Sequence, residues 1–343
     1  MAGGALYLED GSVYAGSLAG AGQAVEGEVV FCTAMAGYSE ALSDPSYAGQ
    51  ILVFTYPQIG NYGVRPEHLE SGRFWARALV VRELSPMGPD DLGERCRREG
   101  VTVLTGVDTR ALTRRLRQGG TAWGRIDRHE APVGPPQPLS RWVERVVAAA
   151  APPAPSEQGR RVTVVDFGRK GSILTILKRA GARVRVVPAA VDLDALLEDG
   201  TEGVVVSNGP GDPMDLDRFA PGIRRIAERL PTLGICLGHQ LLGIAFGAKT
   251  RPLLFGHHGV NHPVRDLGTG LSYLTTHNHG YAVAPESLPP ELVVTHEDLH
   301  DGTIEGIAVR GRRAWGVQFH PEAGPGPWDA HGILERFVAE LGS

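Results

Sequence analysis

The chain has 343 residues, of which 42% are apolar and 21% charged, and its formal net charge is −5. That length exceeds one ordinary hydrophobic core and suits two domains. Modest acidity without any Lys/Arg-rich run argues against nucleic acid or an anionic membrane as a partner. The first ten residues show no basic stretch followed by an apolar one, and no apolar run is long enough to span a bilayer, so a cytoplasmic location is expected.

Residues 1–130 read as a smaller N-terminal α+β domain built of short strands and turns. Strands are predicted at 5–8 and 12–15, joined through Glu9-Asp10-Gly11 as a hairpin, and again at 28–31 and 50–54. Helices are predicted at 91–99 and 109–118, the second capped by Asp108. No nucleophile and base come together in this part, so its default role is structural or docking. Residues 131–160 are rich in Pro and Ala and read as a linker, with one helix possible over 140–150. From 161 to 343 strands and helices alternate: strands at 162–167, 184–187, 203–206 and 232–235, helices at 171–180, 191–197, 218–230 and 239–246. Strands at 292–296, 304–309 and 313–319 and a helix at 330–341 follow. This βαβ repetition predicts an α/β fold, a flavodoxin-like and mostly parallel sheet with helices on both faces and the site at the strands' carboxyl ends.

Three cysteines, Cys32, Cys96 and Cys236, are odd in number and widely spaced, which excludes a disulfide framework and a C-x-x-C metal pattern. Cys32 sits in an apolar run and reads as a small core residue. Cys96, between Arg95 and Arg97-Arg98, reads as a partly exposed thiol whose pKa the arginines could lower. Cys236 differs from both. It ends an apolar run, stands between Gly234 and Gly238, and precedes a helix-compatible segment, which is the strand–nucleophile–helix elbow written G-x-C-x-G. A sharp turn there lifts the sulfur to the sheet edge and sets the Leu237 N–H and a helix N-terminus beside it.

A nucleophilic thiol needs a base, and the base needs an orienting group. Of twelve histidines, His320 ends the apolar alternating run 314–319 and is followed by Pro321 and Glu322. Pro321 keeps His320 extended, and positions i and i+2 of an extended chain share a side. His320 with Glu322 is therefore the chosen pair. His239 has no carboxylate close in sequence, and His257, His258 and His262 fall in a loop-like region. These, with His277 and His279, could suggest zinc, yet they show neither thiols nor a His-x-x-x-His spacing. Hydrogen bonding within the fold is the expected use, and no metal is expected.

Gly234-Ile235-Cys236-Leu237-Gly238-His239-Gln240, together with His320-Pro321-Glu322, resembles a class I glutamine amidotransferase domain. Ser207-Asn208-Gly209-Pro210-Gly211-Asp212-Pro213 is similar to that domain's glycine loop. Gly256-His257-His258-Gly259, His277-Asn278-His279-Gly280-Tyr281, Gly37-Tyr38-Ser39-Glu40, Asp44-Pro45-Ser46-Tyr47 and Asp108-Thr109-Arg110 resemble the glutamine-hydrolysing small subunits of carbamoyl-phosphate synthetases. The resemblance covers nearly the whole chain and fails only in the linker.

The resemblance implies that Gly209 and Leu237 supply the two oxyanion N–H groups. It also implies that Ser46, Gly209, Gly211, Leu237, Gln240, Asn278, Gly280 and Tyr281 contact L-glutamine. The family usually has Phe at the position of Tyr281, and it continues Lys-x-Asn after Lys170 where this chain has Ser172. Lys170 itself reads as a structural residue. Further implied are a large-subunit partner that docks on residues 1–130, receives ammonia through a tunnel and carries ATP and Mg. No cofactor is expected in this chain, which contains no phosphate loop. Pyrimidine or arginine synthesis, or both, is the implied destination. Two other readings stay open from sequence: a free-standing cysteine hydrolase of γ-glutamyl compounds, and a non-catalytic docking subunit.

Overall fold

The computed structural model describes residues 2–86, 91–150 and 158–342. The chain divides into two compact units, Met1–Leu139 with Leu253–Gly259, and Ser140–Pro252 with Val260–Ser343. No helix among the described residues is long and apolar enough to cross a membrane.

In the first unit seven strands close into a barrel, in the spatial order Ala2–Leu8, Val13–Gly20, Thr102–Thr105, Ala78–Val80, Gln50–Phe54, Val25–Cys32 and Ala122–Asp127. The predicted hairpin is present, pairing Ala5 with Ala15 and Tyr7 with Val13. Closure removes the exposed edges that a sheet of this size would otherwise present. Alternate residues point inward, so Leu6 and Leu8, Val29 and Phe31, Ile51 and Val53, and Ala78 and Val80 fill one core with Leu104 and Ile126. Helices Leu92–Glu99 and Thr109–Gly119 have Asp91 and Asp108 as N-caps, whose carboxylates accept from Glu94 N and Ala111 N at 2.8 and 2.9 Å.

Cys96 corrects the sequence reading. It faces the core side of its helix and is fully buried, while its arginine neighbours turn outward. Burial, aided by Glu99 and Asp91, raises its pKa well above the ordinary thiol value. Cys32 is a buried core thiol as expected, pushed up to about 11 by burial.

The second unit carries a nine-stranded sheet in the order Ala182–Pro188, Arg160–Asp166, Gly203–Val206, Thr232–Ile235, Ala314–Val317, Ile304–Val309, Leu292–Asp298, Thr250–Asp266 and Ser272–Val283. The first five strands are parallel, in the 2-1-3-4-5 order of flavodoxin-like sheets, and the pairings of Ile304–Val309 and Leu292–Asp298 are antiparallel. The parallel strands read as unbroken apolar runs because both faces are covered. Val204 and Val206 face the layer of helices Ala220–Arg229 and Leu237–Ala245. Val205 faces the opposite layer of Gly171–Arg179 and Gly332–Glu340.

Several sequence expectations shift here. Residues 250–266 are a 17-residue strand rather than a loop, and Ser272–Val283 is a strand that no clean alternation announced. Glycines, prolines and histidines interrupt the period-2 pattern that marks a half-buried strand. The predicted helix at 191–197 is a 3-10 segment, Leu193–Leu197, and the front of the one at 218–230 belongs to the 3-10 segment Pro213–Phe219. The helix expected inside the linker is Trp142–Ala149; it packs Val143 into the second unit's core, and 151–157 lie outside the described residues.

Candidate active site

The elbow begins with close packing of backbone. Strand Thr232–Ile235 runs into helix Leu237–Ala245 through the single residue Cys236, held at φ 53 and ψ −106. Positive φ is costly for a residue with a Cβ and persists only where the surroundings impose it. Those surroundings are glycines. A Cβ on Gly238 would stand 2.0 Å from the Val206 carbonyl oxygen, and one on Gly234 would stand 2.5 Å from the Gly238 carbonyl oxygen. Gly316 on the adjoining strand is also tightly packed, though less severely, with 3.0 Å to the Cα of His239. The helix starts at Leu237, two residues before the sequence suggested, so its N-terminal N–H groups begin at the sulfur-bearing residue.

The chain around Cys236 is held on three sides. Its N–H donates to Val317 O at 2.9 Å and its carbonyl accepts from Gln240 N at 3.1 Å. The thiol lies 3.6 Å from Asn278 O, to which it donates, and accepts from Gln318 Nε2 at 3.7 Å. Gln318 was not singled out from sequence, although it precedes His320 by two in the alternating run. Both amide hydrogens of Gln240 are engaged, by Tyr281 O at 2.6 Å and Gln318 Oε1 at 2.9 Å. Gln240, Gln318, Asn278 and Tyr281 thus form one connected set with Cys236.

His320 and Glu322 meet as expected, by a tighter path than a continued strand. His320 N–H donates to Thr276 O at 2.8 Å, and Ala323 N–H donates back to His320 O at 3.0 Å, closing a turn over Pro321 and Glu322. That turn brings His320 Nδ1 to 2.6 Å from Glu322 Oε1, with both side chains buried. A carboxylate can only accept, so Nδ1 carries the hydrogen. Nε2 completes no hydrogen bond among the described residues. Burial opposes charge on this ring, but Glu322 and Cys236 outweigh burial and raise its pKa to about 10. Glu322 shifts the other way: burial would raise it, whereas His320 and then Lys170 hold it below the ordinary carboxylate value.

Lys170 is the second group that the sequence undervalued. Its side chain is 2% exposed, its Nζ lies 3.5 Å from Glu322 Oε1, and it also donates to Ala323 O. Its backbone N–H donates to Asn208 Oδ1 at 3.1 Å, which ties it to the glycine loop. A lone lysine before a helix gives no local sign of such a partner 152 positions away; only folding joins them. His239, by contrast, is completely buried on the elbow helix and pushed down to about 4 by burial, which leaves it neutral.

The remaining predicted residues are placed as follows. Gly209 sits in the loop after Gly203–Val206, where a Cβ would meet Phe167 O at 2.3 Å and the Leu237 side chain at 3.0 Å. The two residues named for oxyanion N–H groups are therefore neighbours. Gly211 has φ 104, and a Cβ there would meet the Ser140 backbone at 2.5 Å, so this glycine is required by packing against the start of the second unit. Gly280 lies in strand Ser272–Val283 with nothing within 4 Å of a Cβ. Ser46 belongs to the first unit, where its N–H donates to Asp44 Oδ1 at 2.9 Å.

Comparison with known proteins agrees with these features. Residues 163–341 match the family Glutamine amidotransferase class-I, and residues 6–126 match Carbamoyl-phosphate synthase small chain, CPSase domain. A carbamoyl phosphate synthase small chain of Symbiobacterium thermophilum is 47% identical, with 97% of each chain covered. A carbamoyl phosphate synthase pyrimidine-specific small chain of Halalkalibacterium halodurans is 42% identical over 97% of this chain and 95% of its own. One of Chlorobaculum tepidum is 43% identical over 97% and 96%. With an elbow cysteine, a buried His–Glu pair and near-complete coverage by such relatives, the chain belongs to the carbamoyl phosphate synthase small-chain family, its 163–341 segment being a class-I glutamine amidotransferase domain.

Proposed function

We propose that this chain hydrolyses L-glutamine to glutamate and ammonia through a thioester on Cys236, and supplies the ammonia to a large subunit that makes carbamoyl phosphate. The observation that carries the reading is the relation of Cys236 to His320. The imidazole is fixed by Glu322 through Nδ1, its Nε2 completes no other hydrogen bond, and the charge of Cys236 acts on the same ring.

The chemistry follows from that relation. The Cys236 proton rests on His320 Nε2 as a thiolate–imidazolium pair, which the raised His320 pKa favours, and the thiolate sulfur bonds to the side-chain amide carbon of glutamine. The oxygen of that carbon becomes an oxyanion, facing the N–H groups of Leu237 and Gly209; one such donor is worth about 3–4 kcal/mol of barrier. Imidazolium returns the proton to the amide nitrogen, the C–N bond breaks, and ammonia leaves. His320 then deprotonates water, which adds to the thioester carbon, and the C–S bond breaks to release glutamate and regenerate the thiol. Gln240, Asn278, Gly280, Tyr281 and Gly211 are the groups proposed to hold the substrate.

Ammonia released into water is protonated and loses its nucleophilicity, so a receiving partner completes the function. That partner would carry the ATP, Mg and bicarbonate chemistry and take ammonia through an internal passage. The relative named pyrimidine-specific favours nucleotide synthesis as one destination. The test is ammonia release from L-glutamine by wild type and Cys236→Ala, alone and with the cognate large subunit, ATP and bicarbonate. Cys236-dependent release that rises with the partner is expected. Strong turnover without the partner would favour a free-standing hydrolase, and none in a verified complex would favour a docking subunit.

A further inference from the structure

Gln318 touches the sulfur of Cys236 and takes no part in the proton transfers of glutamine hydrolysis. It directly follows strand Ala314–Val317 and is completely buried. Its backbone is pinned from both sides. Gln318 N–H donates to Glu305 O at 2.9 Å, and the preceding carbonyl, Val317 O, accepts from Cys236 N–H at 2.9 Å. From there its side chain brings Nε2 to 3.7 Å from Cys236 Sγ, while Cys236 also acts on the His320 ring.

Which end of this amide faces the sulfur is decided at the Tyr281 carbonyl. Tyr281 O can only accept, so the Gln240 atom 2.6 Å from it belongs to the NH₂ group. The second hydrogen of that group points to Gln318 at 2.9 Å, so the Gln318 atom there is Oε1. Its own NH₂ is left facing Cys236 Sγ. Reversing either amide would set two donors or two acceptors against each other in a buried place. The direction matters because the sulfur changes its needs. As a thiol it donates to Asn278 O at 3.6 Å. As a thiolate it has no hydrogen and can only accept, and a hydrogen bond made to the charged form favours that form. Such charge-assisted bonds are roughly twice as strong as neutral ones.

We infer that Gln318 is a further catalytic residue, whose Nε2–H donates to the Cys236 thiolate while Gln240 and Tyr281 O keep the amide in its donating orientation. The inference deepens the glutaminase reading and rests on it. His320 supplies the counter-charge to the sulfur, and the elbow helix supplies the positive end of its dipole. Gln318 adds a neutral donor fixed by the adjoining strand. The same N–H serves twice. It holds the thiolate before attack, and when the C–S bond breaks it meets the electron pair returning to the sulfur, which favours release of glutamate. The titratable groups around this sulfur are His320, with Glu322 and Lys170 behind it, and the neutral His239 on the elbow helix. His277 and His279 flank Asn278, with Glu305 against them.

Two variants separate a donor to the sulfur from a mere support for Gln240. Gln318→Glu keeps an acceptor for Gln240 and puts a carboxylate oxygen where the N–H stood. Gln318→Met keeps the length and removes both contacts. Alkylation of Cys236 by iodoacetamide is followed against pH in the full-length protein, by mass spectrometry of the peptide that carries it, with Cys236→Ala as the blank. The midpoint of the alkylation profile should rise by about 1–2 pH units in both variants, the effect of one hydrogen bond to a charged group. In the complex with the large subunit, kcat for ammonia release should fall about 10-fold or more. A residue that only supports Gln240 would instead raise KM in Gln318→Met alone and leave both midpoints in place. Circular dichroism melts show which variants fold, and either one suffices. A midpoint unmoved in a folded variant would overturn the inference. Failure of the glutaminase reading shows separately, as hydrolysis that survives Cys236→Ala.

Discussion

His320 Nδ1 and Glu322 Oε1 stand 2.6 Å apart inside the protein, and the turn that joins them is closed by Ala323 N–H on His320 O. The imidazole and carboxylate shift each other in opposite directions, which binds the chemistry of the site to its electrostatics. Glu322→Gln keeps the shape of the pair and removes its charge. Glutamine hydrolysis is expected to fall about 10³-fold or more in kcat, by analogy with loss of the orienting carboxylate in other triads. The His320 ring should also titrate at lower pH. Steady-state kinetics and the ring's NMR titration measure the two effects, and an unchanged kcat would remove Glu322 from the mechanism.

The same shifts set a pH window for stability. His320 is raised, so its contribution is complete below its ordinary value of 6.5 and fades as pH rises toward about 10. Glu322 is lowered, so its contribution is complete above its ordinary value of 4.5 and fades as pH falls through the depressed value. The gap in denaturation midpoint between wild type and His320→Gln should be widest between about pH 5 and 6.5. It should narrow at pH 9.5 and again at pH 3.5. A gap that is flat with pH would contradict this assignment.

Lys170 neutralises part of a fully buried carboxylate. Lys170→Met leaves Glu322 with less compensation and Ala323 O without that donor, and removing one partner of a buried pair typically costs about 3–5 kcal/mol. Urea denaturation at pH 7 reads the loss. A change below about 1 kcal/mol would mean that solvent or a rearranged donor replaces the ammonium.

The elbow glycines are required by space rather than by flexibility. Gly238→Ala places a Cβ 2.0 Å from Val206 O and should destabilise by about 3 kcal/mol, with hydrolysis reduced in the protein that still folds. Gly332→Ala, at a position with nothing within 4 Å, should fall within about 0.5 kcal/mol of wild type. Equal costs at both sites would show that backbone entropy, not collision, governs them.

The sequence by itself determined those features of this protein that are local in the chain. The elbow cysteine between two glycines, the alternation leading to His320, the Asp91 and Asp108 ends of helices and the apolar parallel strands all follow from short-range periodicity and steric demand. It reached the family as well, because several such motifs stand in order along nearly the whole chain. Tertiary structure alone decided what depends on distant segments meeting. Lys170 finds Glu322, Gln318 bridges Gln240 and Cys236, and Glu305 joins His277 and His279, each across a separation that no local pattern reports. Cys96 was misjudged for the related reason that exposure is set by the face a helix buries, not by the charge of its neighbours. The barrel and the interrupted strand at 250–266 likewise owe their form to pairing across the sheet, where hydrogen-bonded partners outweigh a weak intrinsic preference.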